Sequence, residues 1–128
     1  MKVLIIEPDQ ILARQYQKAF TQAGVEALVC NDAQTAVMTV DEAKPDVIVL
    51  ELQLAGHSGV EFLHEFRSYE DWTDIPIIIH SSVPEYAVGS DSKVWKQLGV
   101  IRYFYKPKTS LQQLVGAVKS AIDEQNTK

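Results

Sequence analysis

Cysteine is nearly missing from this chain: Cys30 is the only one in 128 residues. No intramolecular disulfide can form, a zinc site built from several thiolates is excluded, and a lone thiol fits a reducing compartment. Long apolar runs are missing as well. The first stretch, Val3-Leu4-Ile5-Ile6, is stopped by Glu7 and is too short for a signal-peptide core or a membrane span. Together these absences lead us to expect a cytoplasmic protein with no membrane segment. Positive charge is scarce: 12 Lys and Arg stand against 17 Asp and Glu, for a net charge of −5, and the basic residues are scattered. A nucleic-acid surface needs them clustered against phosphates, so none is expected. Internal repeats and low-complexity tracts are also absent.

What is present has the balance of an ordinary globular domain, 46% hydrophobic and 23% charged. The length suits one core and is too short for two. We expect a single domain over residues 1–124 and a frayed tail at 125–128.

Five short apolar runs alternate with segments of helical period, the pattern of βα units feeding a parallel sheet. Runs 3–6, 47–50 and 77–79 are almost unbroken, as strands covered on both faces must be. Runs 26–30 and 101–105 are more mixed and suit positions nearer the edges. Leu12, Tyr16, Ala19, Phe20 and Ala23 form a helical stripe that stops at Gly24. Ala33, Ala36, Val37 and Val40 form a second, ending near Lys44-Pro45. Ser58-Gly-Val-Glu61 and Thr109-Ser-Leu-Gln112 both read as capping boxes that open helices. The last helix carries Leu111, Leu114, Val115, Val118, Ala121 and Ile122 on one stripe. Between 83 and 99, Pro84, Gly89 and Ser90-Asp91-Ser92 break the rhythm, which predicts a loop and then a short helix over about 92–98.

The ends of parallel strands gather at one edge of such a sheet, and that edge collects functional groups. Glu7, Glu51, Ser81 and Lys106, followed by Pro107, each close an apolar run, so they should meet in one pocket. Carboxylates, a hydroxyl and an ammonium group suit phosphoryl chemistry: acids hold a divalent cation, while hydroxyl and lysine bind phosphoryl oxygens. The plainer alternatives stay open. Glu7 and Glu51 also fit solvated strand ends, Ser81 or Ser82 a local hydrogen bond, and Lys106 a surface lysine. His57, His64 and His80 lack ligand spacing and read as non-ligands, with His80 near enough to tune the pocket. Trp95 and Tyr86 are candidates for a partner surface.

These stretches, taken as a set, resemble the receiver domain of two-component response regulators, the CheY-like family. The carriers are Lys2-Val-Leu-Ile-Ile-Glu7, Pro45-Asp-Val-Ile-Val-Leu-Glu51-Leu-Gln-Leu with Gly56 and Gly59, Ile75-Pro-Ile-Ile-Ile-His-Ser81, and Tyr103-Phe-Tyr-Lys106-Pro107. The resemblance implies a flavodoxin-like α/β fold, (βα)5, with a five-stranded parallel sheet of order 2-1-3-4-5 and helices on both faces. It also implies a Lys106–Pro107 bond that is commonly cis, and Tyr103 as the aromatic whose ring turns inward or outward with activation. In the residues' own terms Tyr103 fits core or interface equally.

The departures from the family pattern carry the functional expectation. Glu51 stands where the family has its phosphate-accepting aspartate, Pro8 where it has the second of two acids, Ala55 at a usual proline, and Ser58 at a frequent acid. Glu51 carries its carboxylate further by more than an ångström, and misplacements of roughly 1 Å cost on the order of 10²-fold in an aligned displacement. Pro8 removes a magnesium ligand. The ligands the family would keep are Glu7, Glu51 and the backbone carbonyl of Gln53, a site that is weak or absent. Asp9 is a substitute in principle, but its place suits a helix cap better.

We therefore expect an atypical receiver that is not an enzyme and needs no cofactor beyond weakly bound magnesium. Glu51 would pair with Lys106 and Ser81 and partly mimic the phosphorylated state. With no effector domain in the chain, output would pass to a protein partner, or a second copy, through a face of the fourth helix, fifth strand and fifth helix. The alternative is a slow but working phosphoacceptor fed by a histidine kinase. A small flavin-binding or enzymatic domain is the remaining reading, disfavoured because Glu7-Pro8-Asp9-Gln10-Ile11 offers no phosphate cradle.

Overall fold

A central strand buried on both faces can be almost wholly aliphatic, and three strands of this protein are. In the computed structural model, which describes residues 1–54, 57–88 and 92–126, the strands of the main sheet are β1 (Lys2–Ile6), β2 (Glu26–Cys30), β3 (Val47–Leu50), β4 (Ile77–Ser81) and β5 (Val100–Tyr105), apart from a short antiparallel pair, Gln53–Leu54 with His57–Ser58. The five form one parallel sheet in the order β2-β1-β3-β4-β5, as expected. The strands with the longest aliphatic runs take the middle and the mixed ones the edges.

Helices α1 (Gln10–Gln22), α2 (Ala33–Ala43), α3 (Gly59–Arg67), α4 (Ser92–Gln97) and α5 (Leu111–Asn126) cover the sheet, with a single helical turn at Glu85–Val88 before α4. Alternate residues of each strand feed two cores. Leu4, Ile48, Leu50, Ile77 and Ile79 meet Ala36, Phe62, Phe66, Trp95 and Leu98 from α2, α3 and the α4 region. Val3, Ile5, Val47, Val49 and Ile78 meet Tyr16, Phe20, Leu114, Val118 and Ile122 from α1 and α5.

Helix ends follow their caps. Asp9 accepts from Ile11 and Leu12 and opens α1, and Gly24 follows that helix at φ +82°. Asp32 caps α2, which closes on Lys44 in a left-handed conformation just before Pro45. Ser58 Oγ accepts from the Glu61 amide at 3.1 Å and opens α3, as its box predicts.

The second box is shifted by one residue. Ser110 Oγ accepts from the Gln113 amide at 3.1 Å while Gln113 Oε1 accepts from the Ser110 amide at 2.8 Å. Thr109 Oγ1 donates instead to the Tyr105 carbonyl at 2.8 Å, which holds it in the preceding turn. The Lys106–Pro107 bond is trans, contrary to the resemblance. Pro107 lies early in a 3-10 turn, Lys106–Lys108, where its fixed φ and missing N–H suit a helical start without isomerisation.

Helix α5 carries two residues into the expected tail, reaching Asn126, and Gln125 Nε2 donates to the Asp74 carbonyl at 3.2 Å. Ala55, Gly56, Gly89, Ser90, Asp91, Thr127 and Lys128 lie outside the described residues, as do the side chains of His57, Ser92 and Asn126. Among the described residues no helix is long and apolar enough to cross a membrane.

Candidate functional site: a buried carboxylate held at the strand ends

Register brings the site together. Ile6 pairs with Leu50 and Leu50 with Ile79, so Glu7 and Glu51, each one residue further, emerge side by side. Ser81 pairs with Tyr105, which brings Lys106 to the same edge. The ladder runs on past the strands: the Glu7 amide donates to the Cys30 carbonyl and the Glu51 amide to the Ile6 carbonyl. All four expected residues therefore meet. The loop after β3 folds back tightly, with the Gly59 amide on the Leu52 carbonyl at 2.8 Å. A Cβ on Gly59 would come within 2.6 Å of the Leu52 backbone, so only glycine permits this approach.

Glu51 is the centre. Its side chain is only 4% exposed and five donors surround the carboxylate. Ser81 Oγ and the Gln53 amide donate to one oxygen. The Ser82 amide and Lys106 Nζ donate to the other, at 3.1 and 2.8 Å, and the Ser82 hydroxyl, whose single proton is shared with Gln53 Oε1, stands 3.2 Å from it. Burial alone would raise the Glu51 pKa, but the hydrogen bonds from Lys106, then Ser81, Ser82 and Gln53, outweigh it and hold the carboxyl below its usual range. The group is thereby kept ionised in the interior.

Lys106 also meets Glu7 Oε1 at 2.5 Å, so one ammonium bridges two buried acids. Burial would lower the Lys106 pKa, yet its bonds to Glu51 and Glu7 raise it above the ordinary lysine value. The solvated strand-end reading of Glu7 and Glu51 fails on this burial, and Lys106 is no free surface lysine.

Ser82 is a contributor that sequence reasoning treated only as a rival to Ser81. Both serines bind Glu51, and Ser82 Oγ also reaches Gln53 Oε1 at 2.8 Å. The adjacent hydroxyls were the available signal. Tyr103 is turned inward: its hydroxyl donates to the Val83 carbonyl at 2.5 Å, and its ring lies 5.7 Å from that of Trp95. Burial, with help from Glu51 and Glu85, pushes its phenol up to about 12. Trp95 itself is only 4% exposed and belongs to the core, which removes it from an open partner surface; Tyr86, at 88%, remains there.

His80 is buried on β4, edge-on to Tyr16 at 5.2 Å, with Nδ1 lacking a hydrogen-bond partner. Burial, reinforced by nearby Lys106, drops its pKa to about 4, so it stays neutral near pH 7.

The residues present fit a divalent cation poorly. Pro8 supplies no carboxylate, Asp9 Oδ1 is committed to the amides of Ile11 and Leu12, and the two remaining acids share the Lys106 ammonium. Among the described residues no group of three or more His, Cys, Asp or Glu is placed to hold a metal.

A parallel sheet of this order, with carboxylates, a hydroxyl and a lysine converging at its strand ends, defines a CheY-like signalling domain. Residues 3–119 match the response regulator receiver domain, and the chain belongs to that family. It is 30% identical over 121 residues to the phosphate regulon transcriptional regulatory protein PhoB of Pseudomonas aeruginosa, covering 94% of this chain but only 51% of that protein. The polar-differentiation response regulator DivK of Brucella anthropi is 24% identical over 95% of this chain and 96% of its own. In solved structures the same fold recurs in the receiver domain of the Francisella response regulator 1452. The TM-score is 0.83 at 22% identity, covering 97% of this chain and 98% of that one. It recurs also in a CheY-like receiver from Methanospirillum hungatei, with TM-score 0.85, 17% identity, and coverage of 98% and 96%. The chain spans about half the length of PhoB.

Proposed function

We propose that this receiver is set by Glu51 itself rather than switched by ordinary aspartyl phosphorylation, and that its output is protein docking or dimerisation. The observation that carries this reading is the ring of five donors on the buried Glu51 carboxylate. A phosphoryl group on a shorter acid would draw on the same hydroxyls, amides and lysine. Glu51 takes those contacts with one charge and two oxygens where a phosphoryl group offers nearly two charges and three, so the mimicry is partial. Tyr103, turned inward onto Val83 and Trp95, is consistent with a fixed setting.

In this reading the domain is a signalling module and not an enzyme, it lies in the cytoplasm, and magnesium binds weakly because the Lys106 ammonium already occupies the space between both acids. The docking face is α4-β5-α5. There Ile101 is 46% exposed at a bulge in the β4–β5 register, beside Lys96 and Arg102.

The test is intact mass after incubation with acetyl phosphate and magnesium, for the wild type and a Pro8→Asp, Glu51→Asp double variant. The reading expects only the variant to gain a phosphoryl group. A modified wild type would instead make this a slow phosphoacceptor and would leave a histidine kinase as its natural donor.

A further inference from the structure

Helices α2 and α3 leave a groove between them that the signalling site does not use. Ala33, Ala36 and Val40 turn to the core, which leaves Gln34, Val37 and Met38 along the adjoining row of α2. Across from them stand Phe62 on the floor and Glu61 and Glu65 one turn apart on α3. The groove has a volume of about 530 Å³, a size that takes several side chains. Met38 is 63% exposed, a large apolar side chain without cover on an otherwise polar helix surface. Methionine at such a place packs adaptably against apolar partners.

The charged residues that line the groove, Glu61 and Glu65, are both acids. Helices α2 and α3 carry Asp41, Glu42, Glu61 and Glu65, and their only cationic Lys or Arg is Arg67. Arg67 is turned away, with its guanidinium donating to the carbonyls of Leu98, Trp72 and Ile75.

We infer that the α2–α3 groove docks a cationic amphipathic segment of another protein, which seats apolar side chains on Val37 and Met38, over the buried Phe62, and sets Lys or Arg against Glu65 and Asp41. Apolar floor and acidic rim select the same kind of ligand, an amphipathic helix laid in a groove. This surface is separate from the α4-β5-α5 face, so the two proposals stand or fall independently.

The probe is a synthetic amphipathic helix with Leu on one face and Lys on the other, titrated into the ¹⁵N-labelled protein and followed by amide shifts. Shifts should centre on Gln34, Met38, Phe62 and Glu65. Raising the ionic strength from about 0.05 to about 0.3 M should weaken binding several-fold. Met38→Glu and Glu65→Lys should each weaken it about tenfold, while Ile101→Glu leaves it unchanged; melting curves show that each variant stays folded. Shifts spread over other faces, equal binding by the same helix with Glu in place of Lys, or indifference to both groove variants would overturn the proposal. Concentration-dependent shifts of these amides without peptide would also overturn it, by making a second copy of the chain the occupant.

Discussion

Lys106 holds two buried acids at once, and removing it leaves both without their cation. Lys106→Met should therefore destabilise the fold by about 3–5 kcal/mol, measured by urea unfolding. Adding Glu7→Gln to that variant should recover part of the loss, because one stranded charge disappears with it. The pH profile follows from the same residues. Glu51 is held below its ordinary 4.5, so its stabilisation is present above that pH and is lost as pH falls through its lower folded value. Lys106 is raised above 10.5, so its share is present below that pH and is lost as pH rises through its higher folded value. His80 acts between. An unfolded imidazole takes a proton near 6.5, which buried His80 refuses until about 4, so stability falls as pH drops through that window, by on the order of 3 kcal/mol. His80→Phe should flatten the slope between those values; an unchanged slope would place the proton uptake elsewhere. Glu7, Glu51, Ser81 and Lys106 were legible because each ends an apolar run. Ser82 was hidden because its amide and hydroxyl point to Glu51 only after the chain turns out of β4.

At the scale of elements, caps and one staple decide where segments stop. Ser110→Ala should cost about 1 kcal/mol through loss of the cap on α5, and Gln113→Ala should remove the reciprocal bond. The sequence pattern placed this box one residue early, since Thr109 and Ser110 both offer a hydroxyl with a glutamine three residues on. Only the Tyr105 carbonyl, which captures Thr109, separates them. Arg67 was invisible as an organiser for a related reason: its partners are carbonyls from three separated places, Trp72, Ile75 and Leu98. It ties the end of α3 to the turn that starts β5. Gly99 in that turn sits at φ +75°, where an added Cβ would fall 2.1 Å from the Arg67 guanidinium. Arg67→Met should cost about 3 kcal/mol or more, because buried carbonyls lose a charged donor. Gly99→Ala should destabilise the same turn, and its effect should shrink in the Arg67→Met background, which a double-mutant cycle would show.

Across the whole molecule, the sheet order and its two cores were legible in the run lengths: three aliphatic strands needed helices on both faces, and the mixed strands took the edges. The buried Trp95 and the half-buried Tyr103 packed on it were not, because a tyrosine within an edge strand fits core or surface until the helix beside it is placed. Tyr103 reads out the state of Glu51, which stands at one end of a chain of contacts through Ser81, Ser82 and Val83 to Tyr103. The most direct measurement is therefore NMR of the Tyr103 ring and the Ser82 and Val83 amides, in the wild type with and without acetyl phosphate and magnesium, and in Glu51→Gln. A receiver set by Glu51 should show one fixed set of signals in the wild type, unmoved by the phosphodonor, and a displaced or exchanging Tyr103 ring in the variant. A Tyr103 ring that is unchanged in Glu51→Gln, or that moves in the wild type when the phosphodonor is added, would contradict that setting.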